Sequence, residues 1–128
     1  MSLSDYFETH EGMGVLATAD ADGKVNAAVY SRPHFLEDGS LAFIMRDRLT
    51  HHNLQSSPYA TYLFVENAPG YQGRRLFMRK IREEKETELL YQLRRRSRAK
   101  SSAGVGESLF LVFFELEREL PLITRARP

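Results

Sequence analysis

The stretch Gly14-Val15-Leu16-Ala17-Thr18-Ala19, Asp20-Ala21-Asp22-Gly23-Lys24, Val25-Asn26-Ala27-Ala28-Val29-Tyr30-Ser31 sets two short apolar runs on either side of a polar turn. Asp22-Gly23 supplies the positive φ that a tight connection needs, so the segment reads as a β-hairpin. Working outward, Pro33 interrupts the ladder after Arg32 and implies an edge or a bulge, because proline has no N–H to donate. His34-Phe35-Leu36 then leads through a second Asp-Gly turn, Asp38-Gly39, into a strand at Leu41-Ala42-Phe43-Ile44-Met45. Upstream, Ser4 and Asp5 are helix-capping types and Gly12 is a stop, which predicts a short helix over Ser4 to Glu11.

Beyond the third strand, Arg46 to Ser57 is polar and helix-compatible until Pro58 disfavours helical geometry at Ser57. Tyr59 to Glu66 is rich in Tyr, Thr, Phe and Val and reads as a strand. Asn67-Ala68-Pro69-Gly70 reads as a turn, and Tyr71 to Arg82 as another strand. Glu83 to Arg96 is expected to be a helix: Glu86, Leu89, Leu90 and Leu93 share one side, with acids at its start and arginines at its end, as the helix dipole favours. Ser97 to Glu107 has no periodicity and reads as a surface loop, Leu109 to Leu116 as a central strand and Arg118 to Pro128 as a tail. Five or six strands joined by tight turns, with two or three short helices, give a mainly β (α+β) antiparallel barrel, and 128 residues suit one domain spanning 1–128.

Composition excludes several classes. A hydrophobic fraction of 42% and a charged fraction of 27% belong to a globular chain. No apolar run approaches the roughly 20 residues that span a bilayer, and the N-terminus carries no secretory pattern, so no membrane association and a cytoplasmic location are expected. The absence of cysteine removes disulfides and thiol chemistry. A net charge of +1, from 18 basic and 17 acidic residues, argues against bulk attraction to nucleic acid. The local cluster Arg94, Arg95, Arg96, Arg98 and Lys100 reads as a solvated helix end, with nucleic-acid binding as the alternative. No Gly-x-Ser-x-Gly elbow and no Gly-x-Gly-x-x-Gly loop are present. Adjacent His51 and His52 point to different sides of a helix, so no metal site is expected there.

The segment Arg46-Asp47-Arg48-Leu49-Thr50-His51-His52-Asn53-Leu54-Gln55-Ser56-Ser57-Pro58 follows one strand and leads into the next. Two arginines, a threonine hydroxyl and the free N–H groups of a helix start are the donors a phosphate needs, although an ordinary capped connector would use the same residue types. Here the chain resembles the pyridoxamine 5′-phosphate oxidase-like family of FMN-binding split barrels, over roughly residues 7–82. The resemblance lies in the Gly-x-Leu-Ala-Thr opening with its Asp-Gly turn, in the strand order, and in Thr50, Asn53-Leu54 and Pro58.

The resemblance implies a split barrel that holds FMN at a homodimer interface. The phosphate would lie near Arg46, Arg48, Thr50 and Asn53, and the ring against Val29, Tyr30, Ser31, Arg32, Ile44 and Met45, within Ala28 to Arg32 and Phe43 to Met45. A lysine common in the family's phosphate segment is absent here, where Leu49 stands nearby, so an arginine would replace it. The chain has no tryptophan and lacks the family oxidase's Arg-Leu-x-Pro ending, so vitamin B6 oxidation is not carried over. The expected function is FMN-dependent redox chemistry with a small-molecule substrate or electron donor, and no catalytic side chain is assigned. The alternative is a binding protein for another flat cofactor, heme or a deazaflavin, without flavin turnover.

Overall fold

The structure is a computed structural model that describes residues 2–96 and 107–124. Its elements in chain order are α1 (Leu3–Thr9), β1 (Gly12–Ala19), β2 (Val25–Tyr30), β3 (His34–Phe35), β4 (Leu41–Arg46), α2 (Leu49–Ser56), β5 (Tyr59–Glu66), β6 (Gly73–Lys85), α3 (Glu88–Arg96) and β7 (Leu109–Pro121). The strands build one antiparallel sheet in the order β2-β1-β5-β6-β7-β4-β3, curled into a half-barrel. The expected mainly β, antiparallel split barrel is therefore what the chain forms, with three helices and one strand more than expected.

The opening hairpin pairs Ala19 with Val25 and runs in register to Gly14 opposite Tyr30. Gly23 takes φ 83° in its turn, and the Asp20 carboxylate accepts the N–H groups of Asp22 and Lys24, each at 2.9 Å. The turn at Gly39 repeats the device with φ 88° and the Asp38 carboxylate accepting from Ser40. Pro33 lies between β2 and β3, and β3 is a two-residue edge strand whose ladder on β4 ends at Ala42. Helix α1 starts earlier than Ser4 suggests, because Ser2 and Asp5 form a reciprocal capping box.

Strand alternation sorts the side chains into two cores. On the inner face, Leu16, Tyr62, Phe64, Leu76, Met78, Val112, Phe114, Phe43 and Met45 pack with Tyr6 and Phe7 of α1 and Leu54 of α2. On the outer face, Ala42, Leu109, Leu111 and Phe113 are covered by Leu90 and Leu93 of α3. Across β1, β2 and β5 the outer face carries Val15, Ala17, Ala27, Val29, Leu63 and Val65, none of them buried. A Cβ at Gly14 would fall 1.9 Å from the Tyr62 hydroxyl. The glycine thus leaves room for that hydroxyl to donate to the Tyr30 carbonyl at 3.1 Å, tying β2 to the core.

Three boundaries differ from expectation. Glu83 to Lys85 belong to β6 rather than to a helix, since they pair with Val112 to Phe110 across a register shift near Ile81, and the strand ends where Glu86 takes φ 48°. Their acidic run suits a helix start, but the ladder with the apolar β7 overrides local propensity. Strand β6 begins at Gly73 rather than Tyr71, because Gly70 and Tyr71 both take positive φ in the turn. The expected tail from Arg118 is still strand as far as Pro121, paired with β6. The expected loop over residues 97–106 and the last four residues, 125–128, lie outside the described residues.

Candidate functional site

Strands β2 and β3 are the two edges of the sheet, and between β2 and the β3–β4 side lies a cavity of about 430 Å³. That is a size able to take a small organic ligand. Alternation along β2 turns Asn26, Ala28 and Tyr30 to the core side, and β4 supplies Phe43, Ile44 and Arg46 from across the split. The wall therefore mixes apolar side chains with polar ones, and Asn26, Arg46, Arg48 and Thr50 gather at one end.

That end is the start of α2. Its N-cap is Arg48, with extended backbone and no side-chain capping bond, so the first-turn N–H groups have no side chain to accept them. Thr50 is buried, and its Oγ1 accepts from Asn26 Nδ2 at 3.3 Å. Burial raises the pKa of Tyr30, while a hydrogen bond with Thr50 and the charges of Arg48 and Arg46 pull it back, which places the phenol among these groups. The Glu107 carboxylate lies between the two arginines, 2.7 Å from Arg48 Nη2 and 3.6 Å from Arg46 Nε. The pair can thus converge on one anion.

Two further contacts hold α2 from behind. Asn53 is buried and its Nδ2 donates to Thr18 Oγ1 of β1 at 3.1 Å. His51 stacks on Phe110 with ring centroids 3.8 Å apart, and its Nε2 donates to the Glu83 carboxylate at 2.9 Å. Burial pushes the Glu83 pKa up, but hydrogen bonds from Gln55, Lys80 and His51, with the charge of His51, outweigh it and hold the value at about 2. His52 is exposed, so the two histidines do diverge. Among the described residues no group of three or more His, Asp or Glu is placed to hold a metal ion.

Of the residues singled out in the sequence, the cavity brings together Arg46, Arg48, Thr50, Val29, Tyr30, Ser31, Arg32 and Ile44. Two lie elsewhere. Met45 points into the inner core, because neighbours on a strand face opposite ways, and Asn53 anchors the helix rather than lining the cavity. Arg32 also braces α1, its Nη1 donating to the carbonyls of Phe7 and His10 at 2.7 Å each. The residues not foreseen are Asn26, His34, Leu109 and Arg94. For Arg94 a signal existed: it stands four residues after the fully buried Leu90, on the sheet-facing stripe of α3, whereas Arg95 and Arg96 are exposed. A larger groove of about 1010 Å³ shares Ser31, Arg32 and His34 with this cavity and is lined by Glu8, Glu11 and Glu66 together with Arg96, a surface of mixed charge.

No family model matches the chain and no curated protein sequence does. Solved structures do. An FMN-binding protein from Syntrophomonas wolfei subsp. wolfei superposes with a TM-score of 0.73 at 17% identity, over 96% of this chain and 85% of that one. The fold is that of the pyridoxamine 5′-phosphate oxidase-like split barrels. Two other split barrels show how varied the group is. An F420 reductase matches with a TM-score of 0.65 at 15% identity, over 94% of this chain and 98% of its own. HutZ, the heme storage protein from Vibrio cholerae, matches at 0.60 and 18%, over 91% and 89%. At such identities the likeness is one of split-barrel fold, and the ligand must be argued from the cavity.

Proposed function

We propose that the split cavity binds FMN and that the protein uses it for redox chemistry on a small molecule at the interface of a homodimer. The observation that carries this reading is the convergence of Arg46 and Arg48 on a carboxylate at an uncapped helix start, beside the buried Thr50 hydroxyl. Those donors suit a phosphate dianion: two guanidinium forks, a hydroxyl and helix N–H groups. The apolar wall of Ala28, Phe43 and Ile44 suits a flat ring, with Tyr30, Ser31 and Arg32 beside it. Bound flavin would supply hydride or electron transfer; the chain's own residues position it, neutralise its phosphate and limit water. The bare outer half of the sheet, with Val15, Ala17, Ala27, Val29, Leu63 and Val65, is the surface a second copy would cover.

Heme or a deazaflavin is the rival occupant. Heme is favoured by one observation: His34 lines the cavity, and burial, with the charge of Arg96 second, lowers its pKa toward the neutral form that ligates iron. A visible spectrum after loading separates the occupants. The decisive experiment titrates FMN and riboflavin into wild type and Thr50→Ala. A hydrogen bond to a charged group is worth about 1.5–3 kcal/mol, so FMN should weaken about 10-fold to 150-fold and riboflavin little. Equal losses for both ligands would reduce Thr50 to a structural role, and no FMN binding to wild type would remove the proposal.

A further inference from the structure

We propose that His51 is a proton-operated latch on the segment leading into α2: protonated at both ring nitrogens it grips Asp47 as well as Glu83, and this tightens the anion site formed by Arg46 and Arg48. The proposal rests on the reading of that site as the cofactor's phosphate end and adds to it a dependence on pH. Histidine is the side chain that changes its charge between about pH 5 and 8. His51 is buried, and both of its ring nitrogens face a carboxylate.

Nε2 lies 2.9 Å from Glu83 Oε2 on β6, and Nδ1 lies 3.6 Å from Oδ1 of Asp47, at i,i+4 spacing before it. Glu83 is held in its charged form and can only accept, so Nε2 carries a hydrogen whether the ring is neutral or positive. The Gln55 amide does not alter this, since it donates to the His51 carbonyl and to Glu83 Oε1. A neutral ring therefore turns the lone pair of Nδ1 toward the Asp47 carboxylate, and two acceptors face one another. Protonation at Nδ1 replaces that opposition by an ion pair, while the bond to Glu83 persists in both states. The other groups about the ring are Phe110 of β7, stacked on its face, Lys80 of β6, 2.6 Å from Glu83, and Lys85, 5.8 Å from the centre of the Phe110 ring. The two lysines and the N-terminal dipole of α2 oppose a positive ring. The two carboxylates favour it, and they are the groups paired with it.

Asp47 connects this ring to the site. It is the middle residue of a three-residue turn, in which the Arg48 N–H donates to the Arg46 carbonyl at 2.9 Å. Whatever holds the Asp47 carboxylate steadies that turn, and with it the spacing of the arginines on either side. The imidazolium also adds a positive charge to the first turn of α2, next in sequence to Thr50. Both effects favour an anion at the helix start. The site's affinity for anions therefore rises as the ring takes up its proton. His51 touches no ligand in this scheme; it is a positioning residue that acts through Asp47.

The test has two arms. In the first, NMR of the imidazole signals follows the FMN-free protein between about pH 5 and 8. The His51 signals are assigned by their loss in His51→Gln. The ring should change charge within that range, and its midpoint should fall in Asp47→Asn, a substitution at a side chain 71% exposed and so harmless to the core. In the second arm, FMN and riboflavin are titrated into wild type, Asp47→Asn and His51→Gln across the same range. The ligand phosphate loses its own second proton near pH 6, but that step is common to all three proteins and cancels in the ratio of their affinities. The wild-type affinity for FMN relative to either variant should rise by up to about 5-fold from the alkaline to the acid end, the worth of one exposed ion pair, and the riboflavin ratio should stay flat. A ring that keeps one charge state throughout, a midpoint unmoved by Asp47→Asn, or an FMN ratio that stays flat or falls toward acid pH would overturn the proposal. Should the protein take up no FMN, the cofactor reading fails by itself, and the NMR midpoints still decide whether Asp47 latches the ring.

Discussion

Glu107 sits where the proposed phosphate would go, so replacing it by glutamine should strengthen FMN binding. The carboxylate lies 2.7 Å from Arg48 and 3.6 Å from Arg46, and a phosphate must displace it from both. The Arg48 side chain is 65% exposed, so that pair is screened; Arg46 at 21% and Glu107 at 33% are less so. Exposed ion pairs contribute about 0.2–1 kcal/mol each. Two pairs sharing one carboxylate then hold about 0.4–2 kcal/mol that binding must give back, equivalent to about 2-fold to 30-fold in affinity. Fluorescence titration of FMN into wild type and Glu107→Gln at low salt should show a gain of that size. The gain should shrink in 1 M salt, where the screening length is about 3 Å. Riboflavin should bind both proteins alike. Weaker FMN binding by the variant would mean that Glu107 holds the arginines in place rather than competing for them, and the displacement argument would fall.

Glu83 stabilises the fold in its charged state: with a folded pKa of about 2 against an ordinary 4.5, its contribution is present above about pH 4.5 and is lost as pH falls toward 2. Glu83→Gln should therefore melt lower than wild type at pH 7 and lose less stability between pH 4.5 and 2; parallel melting curves would show that the carboxylate contributes nothing. Leu63→Glu places a charge in the middle of the bare outer face, between Val15 and Arg75. Light scattering should then give a dimer for wild type and a monomer for the variant at micromolar concentration, and a monomeric wild type would rule out the interface.

The legible parts of the fold were those written locally. The Asp-Gly turns and the Pro58 boundary placed five strand starts or ends because each depends on a backbone preference of one or two residues. The end of β6 was hidden for the opposite reason: Glu83, Glu84 and Lys85 look helical, and only their pairing with Val112, Leu111 and Phe110 keeps them extended. At the site, Arg46, Arg48 and Thr50 could be seen as a group because they are neighbours in sequence. Arg94 stands far from them in sequence: its spacing from Leu90 marks the sheet-facing stripe of α3, but its place in the cavity depends on how α3 packs on β4 and β7. Asn53 was picked out for its position in the motif, yet its side chain serves Thr18.

The two bolts behind α2, from Asn53 to Thr18 and from His51 to Glu83, have a kinetic meaning. They join the helix to strands on different parts of the sheet, so its N-terminal turn is immobilised when the chain folds rather than when a ligand arrives. An anion bound there, as proposed, would meet helix donors already aimed, with the entropy of ordering them settled beforehand. Selectivity at this end of the cavity then comes from shape that is fixed in advance, and capture should proceed in a single fast step instead of a slow closure around the ligand.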